Sequence, residues 1–331
     1  MLNQSYGYGS ITDVPGIEVG HFTDTRRPTG CSVVICRNSA TGSVSVRGAS
    51  PGTRETNLLD PTSRVEQVHA VLLSGGSAWG LGAASGVMQW LDEQGIGMNV
   101  GMCRVPIVPA AVLFDLALGD STIRPSAQDG YIASMNASTR NTEQGNVGAG
   151  AGATVGKLYG IHRAMKGGIG TASVTVGKIT VGALVACNAL GDVIDPNTGA
   201  LIAGARYENS KQLCDARNSI LLGSPPLPII SGTNTTIGVI ATDAKLNKIQ
   251  THLLSQIGHD GLARSINPVH TLYDGDTLFA LATGESTEPV DMTVLCVMAA
   301  EAVANATVQA VKLATSLQVG NLWLPGLGNL V

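Results

Sequence analysis

The stretch SGTNTTIGVIATDAK, Ser231 to Lys245, changes character in its middle. It follows a proline-rich run, GSPPLPII, Gly223 to Ile230. Its first half has the composition of a loop. Ile237 to Ala241 has the composition of a buried strand. Asn234, Thr235 and Thr236 fall at the junction. Small polar residues commonly fill the turn before a strand, and that is one account of them. The other account is chemical. A hydroxyl is a weak nucleophile until a base takes its proton, and an N-terminal Thr can use its own α-amine as that base. The amine has a pKa of ~7.7–8.0, close to working pH. An internal Thr lacks it, so the preceding peptide bond must break first. The hydroxyl can attack the preceding carbonyl and form an ester, which water then releases. A loop entering a rigid strand is a place for a strained, accessible bond.

Outward from this junction, the strand from Ile237 leads into a helix, with Asp243 expected as its N-cap. Leu246, Ile249, Leu253, Leu254 and Ile257 are expected to line one face of that helix. TGCSVVICRN and GSVSVRGA are two β-branched runs joined by SATG, and read as a hairpin. VHAVLLSGG reads as a strand, and GSAWGLGAASGVMQWLDEQG as a helix stopped at Gly95. VTVGKITVGALVACNALG reads as two strands linked at Gly177-Lys178, and TLFALATG as another. The run from Met292 is a long helix, apolar on most faces and therefore largely buried. Strands grouped with strands, beside long apolar helices, predict a layered α+β sandwich in one domain, 1–331.

Charged residues make up 13% of the 331, about half of the ~25% usual in soluble domains. Glycine, 42 residues, is nearly double its usual ~7%. The combination predicts close packing and a homo-oligomer, with a tetramer as the expected size. Net charge is −4 and no basic run is present, which argues against nucleic acid and anionic membranes as partners. The first residues, MLNQSYGYGS, have neither a basic region nor an apolar core, and no stretch reaches the ~20 apolar residues of a spanning helix. Six scattered cysteines without a CxxC pair complete the expectation of a reduced, cytoplasmic protein with no metal or organic cofactor.

Several motifs fail on inspection. GAGAGATVGK, Gly148 to Lys157, lacks the first glycine and the Ser/Thr of a phosphate loop, and its glycines miss the dinucleotide spacing. GASPG, Gly48 to Gly52, matches the G-x-S-x-G elbow, which leaves a serine esterase at Ser50 as an alternative. The elbow needs a strand, a sharp turn and a helix, and TRETNLLDP is a short polar helix at best. A non-catalytic small-molecule binder is the other alternative. The six histidines form no sequence-near pair with a carboxylate and are expected to be structural or surface residues.

The segments DVPGIEVGHFTD, TGCSVVIC, LSGGSAWGLGAASGVMQWL, VPAAVLFDL, GNVGAGAGATVGK, NTTIGVIATDA and DGDTLFALATG span nearly the whole chain. Through them the sequence resembles the L-aminopeptidase/D-esterase family, which includes β-peptidyl aminopeptidases and nylon-oligomer hydrolases. The resemblance implies a four-layer αββα sandwich of the N-terminal-nucleophile-hydrolase kind. It implies self-cleavage between Asn234 and Thr235 into fragments 1–234 and 235–331, with Thr235 the nucleophile. Asp274 and Asp276 are implied to hold and polarise the Thr235 hydroxyl and amine. They flank Gly275, and strand alternation would point both to one face, although Asp-Gly-Asp is also common turn chemistry. Asn188 is implied to stabilise the oxyanion, and Lys157 to orient Asn188 or substrate. Capping and a solvated surface position are their plainer readings. Phe114 stands where family members with VIYDL-like segments carry Tyr, so substrate binding is expected to differ there. The family's aminopeptidases pair a Ser nucleophile with Ser and Glu, whereas this chain has Thr with two Asp. The expected substrates are small peptides, amino-acid amides or esters, or ω-amino oligomers.

Overall fold

A computed structural model describes residues 8–140, 142–208, 210–228 and 232–330. Ile229 and Ile230 of the proline-rich run and Ser231 of the opening stretch lie outside the described residues. The strands that matter for function are β1 (Glu18–Thr23), β2 (Gly30–Val46), β3 (Gln67–Ser74), β4 (Ala110–Val112), β5 (Gly168–Val176), β6 (Ile179–Asn188), β7 (Thr235–Thr242) and β8 (Thr277–Ala282). The helices are α1 (Ala83–Glu93), α2 (Ala127–Met135), α3 (Ala216–Leu221), α4 (Lys248–Ser265) and α5 (Met292–Lys312).

The hydrogen-bonded path runs β5-β6-β7-β8-β2-β3-β4, with β1 paired to β2 and a two-residue strand, Thr53–Arg54, beyond β4. The β7–β8 and β3–β4 pairs are parallel and the rest of the path is antiparallel. Alternation along each strand sorts the apolar side chains into three cores. Val181, Ala183 and Val185 of β6, Ile240 of β7 and Leu278 and Ala280 of β8 face α4 and α5. Leu184, Ile237, Val239 and Phe279 face the other way and meet Val34, Val71 and Leu73 of β2 and β3. Val33, Ile35, Ala70 and Leu72 then pack on α1 and α2. The result is helices, two packed strand layers, and helices: the predicted αββα sandwich.

The SATG hairpin does not form. β2 runs straight through it for 17 residues. Its first part pairs with β1 and β3, and Thr41 to Val46 pair with β8. The ladder with β3 jumps between Ile35 and Ala40, and Ser39 sits at φ 63°. A bulge, with its turn-like composition, carries one strand from one layer into the other.

The face of α4 also differs from expectation. Ile249 is 70% exposed and Leu253 is exposed, while Thr251, Leu254, Ser255, Gly258, His259 and Leu262 are buried. Its N-cap is Asn247, in a capping box with Gln250. Asp243 instead accepts the Thr180 N–H at 2.9 Å. α5 is long and apolar enough to cross a membrane by length and composition, yet 72% of its most apolar window is buried inside the protein. The glycine excess has a local cause here. A Cβ on Gly170 would lie 2.2 Å from the Ala306 carbonyl of α5, so only glycine lets that helix lie on β5.

Candidate active site

β7 begins at Thr235, two residues earlier than the sequence suggests, directly opposite Asn188 at the end of β6. Asn234 makes a single parallel bridge to Asp274 on the other side. The peptide bond before Thr235 is therefore gripped from both flanks. Its carbonyl oxygen accepts the Gly275 N–H at 3.0 Å and also the Thr235 hydroxyl. The hydroxyl thus lies against the carbonyl that self-cleavage would attack. Gly275 must be glycine for this to fit. A Cβ there would stand 2.9 Å from Thr235 Oγ1 and 2.6 Å from the Ser50 carbonyl.

Asn188 is fully buried and its amide is fixed by its partners. Oδ1 accepts from Lys157 Nζ at 2.9 Å and from the Thr154 N–H at 3.0 Å. Nδ2 donates to the Phe114 carbonyl at 3.1 Å. An amide nitrogen carries two hydrogens, so this orientation leaves one of them uncommitted on the residue paired across the strands with Thr235. Lys157 also donates to the Asn188 carbonyl at 2.9 Å. It is no surface lysine. Burial pushes its pKa down to about 7, against the opposing pull of Asp274.

Asp274 and Asp276 lie in the segment before β8, so strand alternation does not place them. Asp274 Oδ2 accepts the Thr271 N–H at 2.9 Å and the Thr271 hydroxyl at 2.6 Å, which is turn chemistry. Burial and the neighbouring Asp276 charge raise its pKa. Asp276 Oδ1 accepts the N–H of Thr236 at 2.7 Å, one residue past the nucleophile. Its Oδ2 meets His270 Nδ1 at 2.8 Å and the His270 N–H at 3.1 Å. The expectation that no histidine pairs with a carboxylate is thereby corrected. His270 lies at φ 55°, and its ring centroid is 4.8 Å from that of His259, the two planes inclined at 70°. Burial lowers the His259 pKa to about 4.

A cavity of about 400 Å³ opens at this junction, lined by Phe114, Thr154, Lys157, Leu227 and Asn234 among others. Phe114 therefore lines the cavity. Gly152, Thr154 and Lys157 come from the segment that failed as a phosphate loop. It serves as a wall that carries the partners of Asn188.

Ser50 does not sit on an elbow. β2 ends at Val46, and a two-residue strand follows at Thr53–Arg54 where the motif needs a helix. The Ser50 hydroxyl donates to the Leu272 carbonyl at 3.1 Å, and its N–H to the Asp274 carbonyl at 2.9 Å. The GASPG loop is a brace for the Asp274–Asp276 segment. Sequence reasoning missed His270, Thr154 and Gly275. The closeness of His270 to the DGD tripeptide was the available signal for the first.

The sequence pattern of Peptidase family S58 matches residues 9–321. An uncharacterized aminopeptidase of Mycobacterium leprae is 44% identical, over 89% of this chain and 84% of the relative. The 6-aminohexanoate-oligomer endohydrolase of Kocuria sp. (strain KY2) is 28% identical, over 91% of this chain and 85% of its own. Among solved structures, the L-aminopeptidase D-Ala-esterase/amidase of Ochrobactrum anthropi, described as a variant of the Ntn hydrolase fold, superposes with a TM-score of 0.71. That match has 19% identity and covers 96% of this chain and 91% of the other.

Proposed function

The chain belongs to peptidase family S58, and on that premise we propose that it is a self-processing amide hydrolase whose nucleophile is Thr235. In the first reaction the Thr235 hydroxyl attacks the Asn234 carbonyl carbon. The Gly275 N–H, already 3.0 Å from the carbonyl oxygen, supports the charge that develops there. The C–N bond breaks, the acyl group passes to Oγ1 as an ester, and water releases Asn234 as a carboxylate. Thr235 is left with a free α-amine.

In the second reaction that amine takes the hydroxyl proton as Oγ1 attacks the substrate carbonyl. Asn188 donates to the oxyanion, held by Lys157 and Thr154. The ammonium then protonates the leaving amine, and water hydrolyses the acyl-enzyme. Asp276 fixes the Thr236 N–H beside the nucleophile, and His270 fixes Asp276. Asp274 supplies negative charge for the unmasked amine. Substrates are small peptides, amino-acid amides or esters, or ω-amino oligomers. A cytoplasmic homo-oligomer, a tetramer by size, belongs to the same reading. Analytical ultracentrifugation checks the size.

The observation that carries the reading is the Asn234 carbonyl held between the Gly275 N–H and the Thr235 hydroxyl. A time course on a denaturing gel, read beside amidase activity, tests it. Activity should rise in step with two fragments, and a Thr235→Ala chain should stay whole and inactive. A Thr235→Ala chain that still divides would refute it.

A further inference from the structure

The peptide that joins Ala153 to Thr154 is held at both of its polar ends. Its N–H donates to Asn188 Oδ1 at 3.0 Å. Its carbonyl accepts the Gly167 N–H and the ammonium of Lys166, both at 2.9 Å. A peptide unit is planar, so whatever fixes its carbonyl also fixes its N–H. Lys166 Nζ donates as well to the Gly150 carbonyl at 2.8 Å and the Gly167 carbonyl at 2.9 Å. The Gly150 carbonyl in turn accepts the Ala153 N–H at 3.2 Å. Three ammonium hydrogens thus meet three backbone carbonyls around the turn that ends at Thr154. Lys166 is fully buried and forms no ion pair among the described residues.

Burying an ammonium is costly, and an apolar side chain could fill the same space. Strand pairing already closes this turn, since Met165–Lys166 pairs with Thr154–Val155. What an apolar residue would lose is a positive charge on the Ala153 carbonyl. That charge polarises the peptide and strengthens its N–H as a donor. The Thr154 N–H then draws harder on Asn188 Oδ1, and the amide passes the pull on to Nδ2. Lys157, on the same oxygen, acts in the same sense. Lys166 itself is not part of the cavity wall. We propose that Lys166 is a positioning residue of the amide hydrolysis, holding and polarising the Asn188 amide through the Ala153–Thr154 peptide. The proposal rests on Asn188 as the oxyanion donor for attack by Thr235.

The test is Lys166→Met, which keeps the length of the side chain and removes its charge. Self-cleavage relies on the Gly275 N–H and not on Asn188, so it should run at the parental rate, which also reports a folded chain. Turnover is then measured with the fastest substrate of an amino-acid p-nitroanilide panel. kcat should fall by about tenfold and KM should change little. In an Asn188→Ala background the same substitution should cost nothing further. An unchanged kcat overturns the proposal and leaves the Thr235 reading standing. So does a loss carried by KM, a parallel slowing of self-cleavage, or a full second loss in the Asn188→Ala background, each of which marks a lysine that serves packing. Should the Met chain fail to fold, Lys166→Gln, which keeps N–H donors without the charge, is held to the same expectations. If neither folds, the lysine serves folding alone and the proposal fails. An Asn188→Ala enzyme with parental kcat removes the oxyanion donor and the proposal with it. An active chain that never splits overturns the Thr235 reading itself.

Discussion

The two ends of β7 are made of nearly the same residues and do different things. Thr235-Thr236 open the strand, and Thr242-Asp243 close it. Both ends are buried, and at both a carboxylate receives a backbone N–H from a neighbouring segment. At the far end no buried side-chain polar atom of Thr242 or Asp243 is left unpaired among the described residues. Asp243 takes the Thr180 N–H, and the Thr242 hydroxyl takes that of Ala244. At the near end buried polar atoms remain unpaired among the described residues: Asn234 Oδ1, Thr236 Oγ1 and His270 Nε2. A second carboxylate is pressed beside the first, and a cavity adjoins them. Buried polar groups are normally satisfied, and this end leaves several unsatisfied beside a cavity. Composition does not separate the two ends; partner count does.

The sharpest way to break this contrast is to remove the hydroxyl at each end. Thr235→Ala should abolish self-cleavage and reduce amide turnover by about 10⁴-fold or more. Turnover and fragment yield measured on both variants decide it, because Thr242→Ala should leave both intact. Next in size is Asn188→Ala, which removes the oxyanion donor of the proposed mechanism. It should lower kcat by about 10²–10³-fold, and steady-state kinetics will read this directly.

Asp276→Asn and His270→Gln probe positioning. Each should cost about 10²-fold in turnover by letting the Thr236 amide drift, and a double mutant should lose little more than either single change. Asp243→Asn, its counterpart, should change turnover little and stability by about 1 kcal/mol, as denaturant unfolding would record.

The smallest effect sharpens the electrostatics. Burial and Asp276 raise the pKa of Asp274, so its charge opposes folding. As pH rises past the ordinary carboxyl range, the unfolded chain ionises before the folded one, and the native protein loses stability. Asp274→Asn avoids that loss. In a Thr235→Ala background, where the chain is uncut, it should melt higher at neutral pH. The advantage should shrink as pH falls and vanish below the ordinary carboxyl pKa. Melting curves across pH check the sign.

Much of the fold is legible in the sequence because alternation and helical period are local signals. β6, β8 and α5 read directly from TVGALVACN, TLFALA and the apolar run after Asp291. The hairpin at SATG misleads because turn composition also builds a bulge, and only the partner β8 distinguishes the two. The face of α4 misleads because Gly258 and Gly261 let α4 lie close to β7 and α5, so small residues are buried and Ile249 is left outside. Thr235, Asn188, Lys157, Asp274, Asp276 and Phe114 were named from a family likeness, and all gather at one junction. The pairing of His270 with Asp276 stayed hidden because a left-handed backbone at His270 and the turn after it fold the ring back onto the carboxylate. No periodicity encodes that.

The most direct measurement is the intact mass of an active preparation under denaturing conditions. The account predicts two polypeptides, residues 1–234 and 235–331, the second beginning with a free Thr235 amine. A catalytically competent sample consisting of one continuous 331-residue chain would contradict it.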